Sequence, residues 1–265
     1  MTASATDALL SVRGVTVKFG GIVALDSVGF DVPRGTVFGL IGPNGAGKTT
    51  LFNCLSRLYQ YQQGDVLFEG RSITNTPTHD IAQLGIGRTF QNLAMFDTMS
   101  VERNVMVGAH CRSRSGFFSS AVRLPWVRDE ESRLRDRAAK ILDYMQLTPY
   151  RDRPVSDLPF GIKKRVELGR ALAAEPKLLL LDEPAAGLNH EELSGLGDLI
   201  LDIRDRLGIT VLLVEHHMSL VMAVSDRIVA LNFGRKIAEG TPAEIQSHPD
   251  VIAAYLGAPA DAQAA

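Results

Sequence analysis

Residues 42–50, GPNGAGKTT, decide how this chain folds, because they place three glycines ahead of one lysine and two hydroxyl residues. They follow the apolar run TVFGLI, residues 36–41, and lead into the segment KTTLFNCLSRL, residues 48–58. The first run predicts a short buried strand, and the second predicts a helix with its apolar residues on one face. The order of strand, glycine-rich loop and helix predicts a loop that binds phosphate groups.

Residues 42–50 form the phosphate loop. They offer the hydrogen-bond donors and the positive charge that bind a nucleoside triphosphate. Backbone N–H groups of such a loop wrap the β-phosphate, and the following helix directs its positive end at the same oxygens. We expect Lys48 to bridge the β- and γ-phosphates and the Thr49 hydroxyl to hold a magnesium ion. An ordinary glycine turn is the alternative for such a pattern taken alone. The predicted nucleotide-binding residues here are Gly42, Pro43, Asn44, Gly45, Ala46, Gly47, Lys48, Thr49 and Thr50.

The composition excludes several other classes of protein. The 265 residues are 45% hydrophobic with a net charge of −2, which favours an ordinary globular core and disfavours nucleic acid as a partner. Two cysteines, Cys54 and Cys111, are too few for a disulfide framework and favour a reducing cytoplasm. No basic segment precedes the first apolar residues, and no run approaches the roughly 18 apolar residues that cross a bilayer. We therefore expect other subunits to provide any attachment to a membrane.

Alternating and continuous apolar runs predict an α/β fold. Residues 9–32 alternate around Gly20 and Gly21, which predicts antiparallel strands. Residues 176–183, PKLLLLDE, and 208–217, GITVLLVEHH, read as buried strands with a helix between them. Strands that alternate with helices imply a mostly parallel sheet, here with an antiparallel β region and an inserted helical lobe.

The predicted domain organisation is one domain over residues 9–257. Its core comprises about residues 9–91 and 176–257, and its helical lobe about residues 92–175. Residues 258–265 are expected to be a frayed tail.

Two adjacent carboxylates end the strand LLLLDEP, residues 178–184. Ligands of open α/β sheets bind at the carboxyl ends of the strands. Asp182 is expected to help hold the magnesium ion, and Glu183 to orient and deprotonate an attacking water. Solvated charge at a strand end is the alternative for this pair taken alone.

Four further stretches stand in an order that resembles the ATP-binding cassette (ABC) ATPases, over roughly residues 9–257. They are VKFGG at 17–21, RTFQN at 88–92, LPFGIKKRVELGRAL at 158–172 and LLVEHH at 212–217. The resemblance implies a P-loop NTPase of ABC type that hydrolyses ATP with Mg²⁺. Phe19 would stack on adenine, Gln91 would link the γ-phosphate and magnesium to the lobe, and His216 would reach the γ-phosphate. Singly, each also reads as a core aromatic, a loop amide or a strand-end imidazole.

The signature segment, residues 158–162, departs from the family pattern. It reads LPFGI where ABC ATPases usually have Leu-Ser-Gly-Gly-Gln, so Pro159 replaces a hydroxyl donor. The resemblance still implies that Leu158 and Gly161 contact a nucleotide bound to a second chain, and the helix that follows is expected to begin near Ile162. A later loop has Asn189 where an aspartate is usual, and asparagine brings no charge. These departures bear on rate and dimer affinity rather than on ATP binding.

Three stretches look like the ATPase subunits of branched-chain (hydrophobic) amino acid importers: residues 85–110, 182–189 and 239–257. That likeness implies a subunit that powers an importer and pairs with a second ABC ATPase subunit, identical or related. It also implies integral membrane permease subunits, which would hold the chain at the cytoplasmic face of the inner membrane. The alternatives are the ATPase of a lipopolysaccharide-type exporter and a soluble ABC ATPase without a transport role.

An insertion at residues 112–137 carries Phe117, Phe118 and Trp126 among seven arginines. Aromatics with arginines are enriched at protein interfaces, so this part of the lobe is a candidate receiver for a cytoplasmic helix of the permease. The alternative is a solvated loop whose aromatic residues fold back onto the lobe.

Overall fold

The structure is a computed structural model that describes residues 8–89, 94–109 and 125–256, with the backbone alone at 125–131 and 256. Two compact units are present. The first contains the described residues up to Thr78, then Leu180–Ala185, and the described residues from Asn189 onward. The second contains the described residues of His79–Leu179 and Ala186–Leu188.

The elements are numbered along the described chain. The strands are β1 Ala8–Phe19, β2 Ile22–Pro33, β3 Val37–Ile41, β4 Gln63–Phe68, β5 Arg71–Ser72, β6 Ile86–Arg88, β7 Leu178–Asp182, β8 Thr210–Val214, β9 Arg227–Asn232 and β10 Arg235–Gly240. The α-helices are α1 Lys48–Leu55, α2 Ile81–Leu84, α3 Val101–Ala109, α4 Pro125–Tyr144, α5 Phe160–Ala173, α6 His190–Leu207, α7 Met218–Val224, α8 Pro242–Gln246 and α9 Pro249–Leu256.

The first unit holds an antiparallel sheet and a mostly parallel one. The antiparallel sheet has the order β2-β1-β4-β5, and β1 and β2 pair across the predicted glycine turn. In the second sheet β10-β9-β3-β8-β7 are neighbours, and β3 runs parallel to both β8 and β9. Every residue of β3, β7 and β8 is buried, as expected for strands covered on both faces. The predicted fold class is confirmed.

The second unit is helical around α3, α4 and α5. Helix α3 packs closely on α5, because a Cβ at Gly108 would lie 1.9 Å from the carbonyl oxygen of Arg170. The buried Asn104 side chain accepts the N–H of Phe96 at 3.0 Å and donates to the carbonyl oxygens of Phe96 and Ser100. One amide side chain therefore organises the loop before α3.

Two local predictions differ from the structure. Helix α1 ends at Leu55, so Leu58, predicted on its apolar face, is exposed after Arg57 turns the chain with a positive φ of 59°. Helix α5 begins at Phe160, two residues before the predicted start near Ile162.

Other sequence predictions fall on residues about which the structure says little. Phe117 and Phe118 lie outside the described residues, and of Trp126 only the backbone in α4 is described. Among the described residues, no helix combines the length and the apolar character required to cross a membrane.

Candidate nucleotide-binding site

The phosphate loop connects β3 to α1 and approaches other backbone closely at two glycines. Gly42 has φ +152°, and a Cβ there would lie 2.3 Å from the carbonyl oxygen of Leu231. Gly47 has φ +101°, and a Cβ there would lie 2.7 Å from the carbonyl oxygen of Ala24. Both positions therefore require glycine, for space and for backbone conformation.

Lys48 is 6% exposed and turns back onto its own loop. Its Nζ donates to the carbonyl oxygens of Gly42 at 2.6 Å and Pro43 at 3.1 Å. Burial lowers the pKa of the ammonium below its ordinary value, while the negative charges of Glu183 and Asp182 oppose that change. A triphosphate would offer this ammonium charged acceptors, which bind it more strongly than neutral carbonyl oxygens do.

Helix α1 begins without a side-chain cap among the described residues. Its N-cap is Gly47, in the left-handed conformation, and no acidic residue stands in the first turn. The first amides of a helix have no acceptor within the helix, and they carry its positive end. The amides that start α1 are thus suited to an anion.

A cavity of about 370 Å³ lies against this loop. Residues 44–50, Glu183 and His216 line it, together with Ile22, Val23 and Ala24 of β2 and with Phe233. Its volume lies within the range of small-molecule sites, roughly 300–1,000 Å³. The fold thus brings the predicted base and the predicted switch histidine to the phosphate loop.

Glu183 and His216 form a hydrogen-bonded pair. Oε1 of Glu183 lies 2.6 Å from Nε2 of His216. Glu183 has a positive φ of 49°, and its N–H donates to the carbonyl oxygen of Val214 at 2.9 Å. Such a conformation costs a non-glycine residue about 1–3 kcal/mol, and residues that adopt it cluster at functional sites.

Asp182 and Thr49 supply oxygen atoms next to Lys48. The exposed Thr49 lines the cavity, whereas Asp182, the buried last residue of β7, is not among the lining residues and acts on Lys48 through its charge. Within the described ranges, no group of three or more His, Cys, Asp or Glu side chains is arranged to hold a metal. Magnesium at phosphate sites takes one or two protein ligands together with phosphate oxygens, so a hydroxyl and a carboxylate are donors of the type that the predicted ion requires. Gln91, the third predicted ligand, lies outside the described residues.

Phe19, predicted to stack on adenine, is exposed near the end of β1. Its ring meets that of Tyr59 edge to face, with centroids 5.4 Å apart, and it is not among the residues lining the cavity. The aromatic residue on the cavity lining is Phe233, which is 84% exposed and has φ +44°. Sequence reasoning missed it, although the hairpin turn NFG places an aromatic directly before a glycine.

Tertiary pairing explains how Phe233 reaches the phosphate loop. The N–H of Gly234 donates to the carbonyl oxygen of Ala46 at 3.0 Å, and the carbonyl oxygen of Gly234 accepts the N–H of Asp26. The β9–β10 turn is therefore bonded both to the loop and to β2.

The signature segment belongs to the second unit. The Leu158 side chain is buried, so only its backbone can contact a ligand. Pro159 is the N-cap of α5, with no side-chain cap among the described residues, and the half-buried Gly161 lies in the first turn. Phe160 is 46% exposed and lies against Gly187, where a Cβ would be 2.8 Å from its ring. The segment offers backbone amides rather than side-chain donors.

Asn189 has a structural task in this fold. Its Oδ1 accepts the N–H of Glu192 at 2.9 Å, and Oε2 of Glu192 accepts the N–H of Asn189 at 3.0 Å. This capping box closes the start of α6.

Comparisons with known proteins agree with this arrangement. The profile of the ABC transporter family matches residues 25–186, and that of the branched-chain amino acid ATP-binding cassette transporters matches residues 235–261. The high-affinity branched-chain amino acid transport ATP-binding proteins LivG of Escherichia coli and BraF of Pseudomonas aeruginosa are each 42% identical, over 94% of this chain and 98% of theirs.

A solved structure has the same fold. The ADP conformation of an ATP-binding cassette of an ABC transporter superposes with a TM-score of 0.82 at 33% identity, over 94% of this chain and 99% of its own. The chain therefore belongs to the ABC transporter family of ATPases, among the branched-chain amino acid transport ATP-binding proteins.

Proposed function

We propose that this chain is the ATP-hydrolysing subunit of an importer for branched-chain or other hydrophobic amino acids. The observation that carries the ATPase mechanism is the Glu183–His216 pair on the lining of the cavity formed by the phosphate loop. The similarity to LivG and BraF, which are branched-chain amino acid transport ATP-binding proteins, supports the substrate class and the transport role.

The catalytic roles follow from the positions of the side chains. Lys48 and the amides at the start of α1 bind the β- and γ-phosphates. Glu183 orients the attacking water and accepts its proton, while His216 contacts the γ-phosphate and keeps Glu183 in place. Thr49 and Asp182, with Gln91, would hold a magnesium ion, which neutralises charge on the phosphate oxygens.

The working state is a dimer of ATPase subunits, formed by two copies of this chain or by this chain and a relative. In this arrangement the signature segment of one subunit presents Gly161 and the positive end of α5 to the nucleotide bound by the other. Permease subunits hold the dimer at the cytoplasmic face of the inner membrane. Residues 112–137 remain a candidate contact with them.

Glu183→Gln tests the reaction. This change keeps the shape of the side chain and removes the base, so we expect kcat to fall by about 10²- to 10⁴-fold while ATP stays bound. Glu191→Gln, at an exposed glutamate of α6, is the matched control and should hydrolyse ATP as the parent does. Parent-like hydrolysis by Glu183→Gln would contradict the assignment of the base.

Transport assays test the substrate class. A strain that lacks this subunit should lose uptake of leucine, isoleucine and valine, and the parent gene should restore it while the Glu183→Gln gene should not. Amides and urea complete the panel of solutes. Unchanged amino acid uptake, together with recovery of exporter subunits or of no membrane subunit in pull-downs, would favour an exporter or a non-transport ATPase.

A further inference from the structure

A buried carboxylate connects the two loops that carry the catalytic pair. Glu215 directly follows β8 and is 2% exposed. Its Oε1 accepts the N–H of Ala185 at 2.6 Å, and its Oε2 accepts the N–H of His216 at 2.9 Å and of His217 at 3.3 Å. One side chain therefore holds the loop after β7 with one oxygen and the loop after β8 with the other.

These bonds fix the backbone on both sides of Glu183. The N–H of Glu183 itself donates to the carbonyl oxygen of Val214. Two residues later, the N–H of Ala185 donates to Oε1 of Glu215. Because the positive φ of Glu183 is unfavourable, it persists only where the surroundings hold it, and the end of β8 does so from two directions.

The position of His216 depends on the same carboxylate. Its own N–H is bonded to Glu215, so the backbones of both members of the 2.6 Å pair, one of them through Ala185, are tied to one group. A carboxylate suits this task because both of its oxygens only accept hydrogen bonds, whereas an amide side chain would turn an NH₂ group toward an N–H. Bonds from N–H to a charged acceptor are also the stronger kind.

We propose that Glu215 is a positioning residue for ATP hydrolysis: it holds Glu183 and His216 at hydrogen-bonding separation from each other. This inference rests on the proposed function, in which Glu183 is the base. Glu215 is 2% exposed and both of its carboxylate oxygens accept backbone N–H groups, so it acts through the other two side chains and not by contact with the nucleotide.

Glu215→Gln in the full chain is the direct test. We expect kcat to fall by roughly 10- to 10²-fold, because small displacements of catalytic groups cost rates of this size. The Kd for MgATP should stay within about twofold of the parent value, because the lost contribution is specific to the transition state. Glu215→Asp keeps the charge on a shorter side chain and should recover part of the lost kcat.

Thr210→Val is the matched control, because Thr210 is buried at the opposite end of β8 and its Oγ1 accepts the N–H of Gly35 at 2.9 Å. Like Glu215→Gln, this variant disturbs a hydrogen bond from a backbone N–H to a buried side chain. It should lower Tm while leaving the kcat of the folded protein at the parent value. A purely structural role for Glu215 would give Glu215→Gln the same profile.

A double-mutant comparison with His216 tests whether Glu215 acts on kcat through the position of His216 or independently of it. On the His216→Ala background, Glu215→Gln should cost less in kcat than on the parent background, because part of the geometry is already lost. Equal losses of kcat on the two backgrounds would overturn this inference alone. The same holds if Glu215→Gln and Glu215→Asp have the parent kcat while Glu183→Gln is inactive. A parent chain without ATPase activity, or an active Glu183→Gln, would overturn the proposed function and this inference with it.

Discussion

Three helix starts in this protein differ in how their amides are used. The N-cap residues of α1 and α5 are Gly47 and Pro159, and neither provides a side-chain cap among the described residues. The N-cap residue of α6 is Asn189, and it forms a capping box with Glu192 that satisfies amides at the helix start. The proposed mechanism assigns the starts of α1 and α5 to phosphate; α2 and α7 also lack a side-chain cap among the described residues and have no such assignment. A residue that departs from the family pattern, Asn189, serves the helix instead.

The phosphate loop and the signature segment also differ from each other. The loop adds a buried ammonium to its amides, and two of its glycines approach neighbouring backbone too closely for any side chain. The signature segment is more exposed and contributes Gly161 and amides, while the side chain of its Leu158 is buried. The loop should therefore control ATP binding by one chain, and the signature segment should control assembly and hydrolysis.

The largest effect should follow from Lys48→Ala. Removing the buried ammonium takes away the proposed charged partner of the β- and γ-phosphates, so a titration with MgATP should show no measurable binding. Lys140→Ala, at an exposed lysine of α4, should bind as the parent does. If Lys48→Ala retained the parent affinity for MgATP, the phosphate loop would not control ATP binding by one chain.

Gly161→Asp should separate binding from assembly. The added carboxylate repels the phosphate of the partner subunit, so ATP-driven dimerisation and hydrolysis should be lost while one chain binds ATP with near-parent affinity. Nucleotide titration and size analysis on the Glu183→Gln background measure the two properties. Gly195→Asp, at an exposed glycine of α6 with open space around it, is the control. ATP-driven dimers of Gly161→Asp would disprove the role of the signature segment.

Asn189→Ala should affect stability and leave ATP binding unchanged. Loss of an N-cap costs about 1 kcal/mol, so thermal unfolding should shift to lower temperature by a few degrees, roughly 2–4 °C for a chain of this size. Asn189→Asp should keep the parent Tm, because aspartate caps as well as asparagine does. A weaker Kd for MgATP in Asn189→Ala would show that this helix start also serves the nucleotide.

Pro159→Ala should have the smallest effect. Proline at a helix start gives up an N–H that the helix does not use, so the ATPase rate should stay within about twofold of the parent value. Steady-state hydrolysis by the full chain measures this. A tenfold loss of rate would show that the proline ring itself shapes the signature segment.

Much of the fold follows from short-range pattern. The buried runs at β3, β7 and β8, the glycine turn between β1 and β2 and the strand, loop and helix order at residues 36–55 are all present as predicted. Periodicity is less able to show where a helix ends. Leu58 keeps the spacing of the α1 face, but the left-handed Arg57 takes it out of the helix.

The sequence by itself predicted which residues carry the chemistry: the glycines and lysine of the phosphate loop, the carboxylates at the end of β7 and the histidine after β8. Only the tertiary structure decided how they meet. It joined Glu183 to His216, 33 residues apart, tied both loops to Glu215, and brought Phe233 instead of Phe19 to the cavity. The physical reason is that local spacing specifies strands, turns and helices, whereas contacts between distant residues depend on which strands pair and in which register.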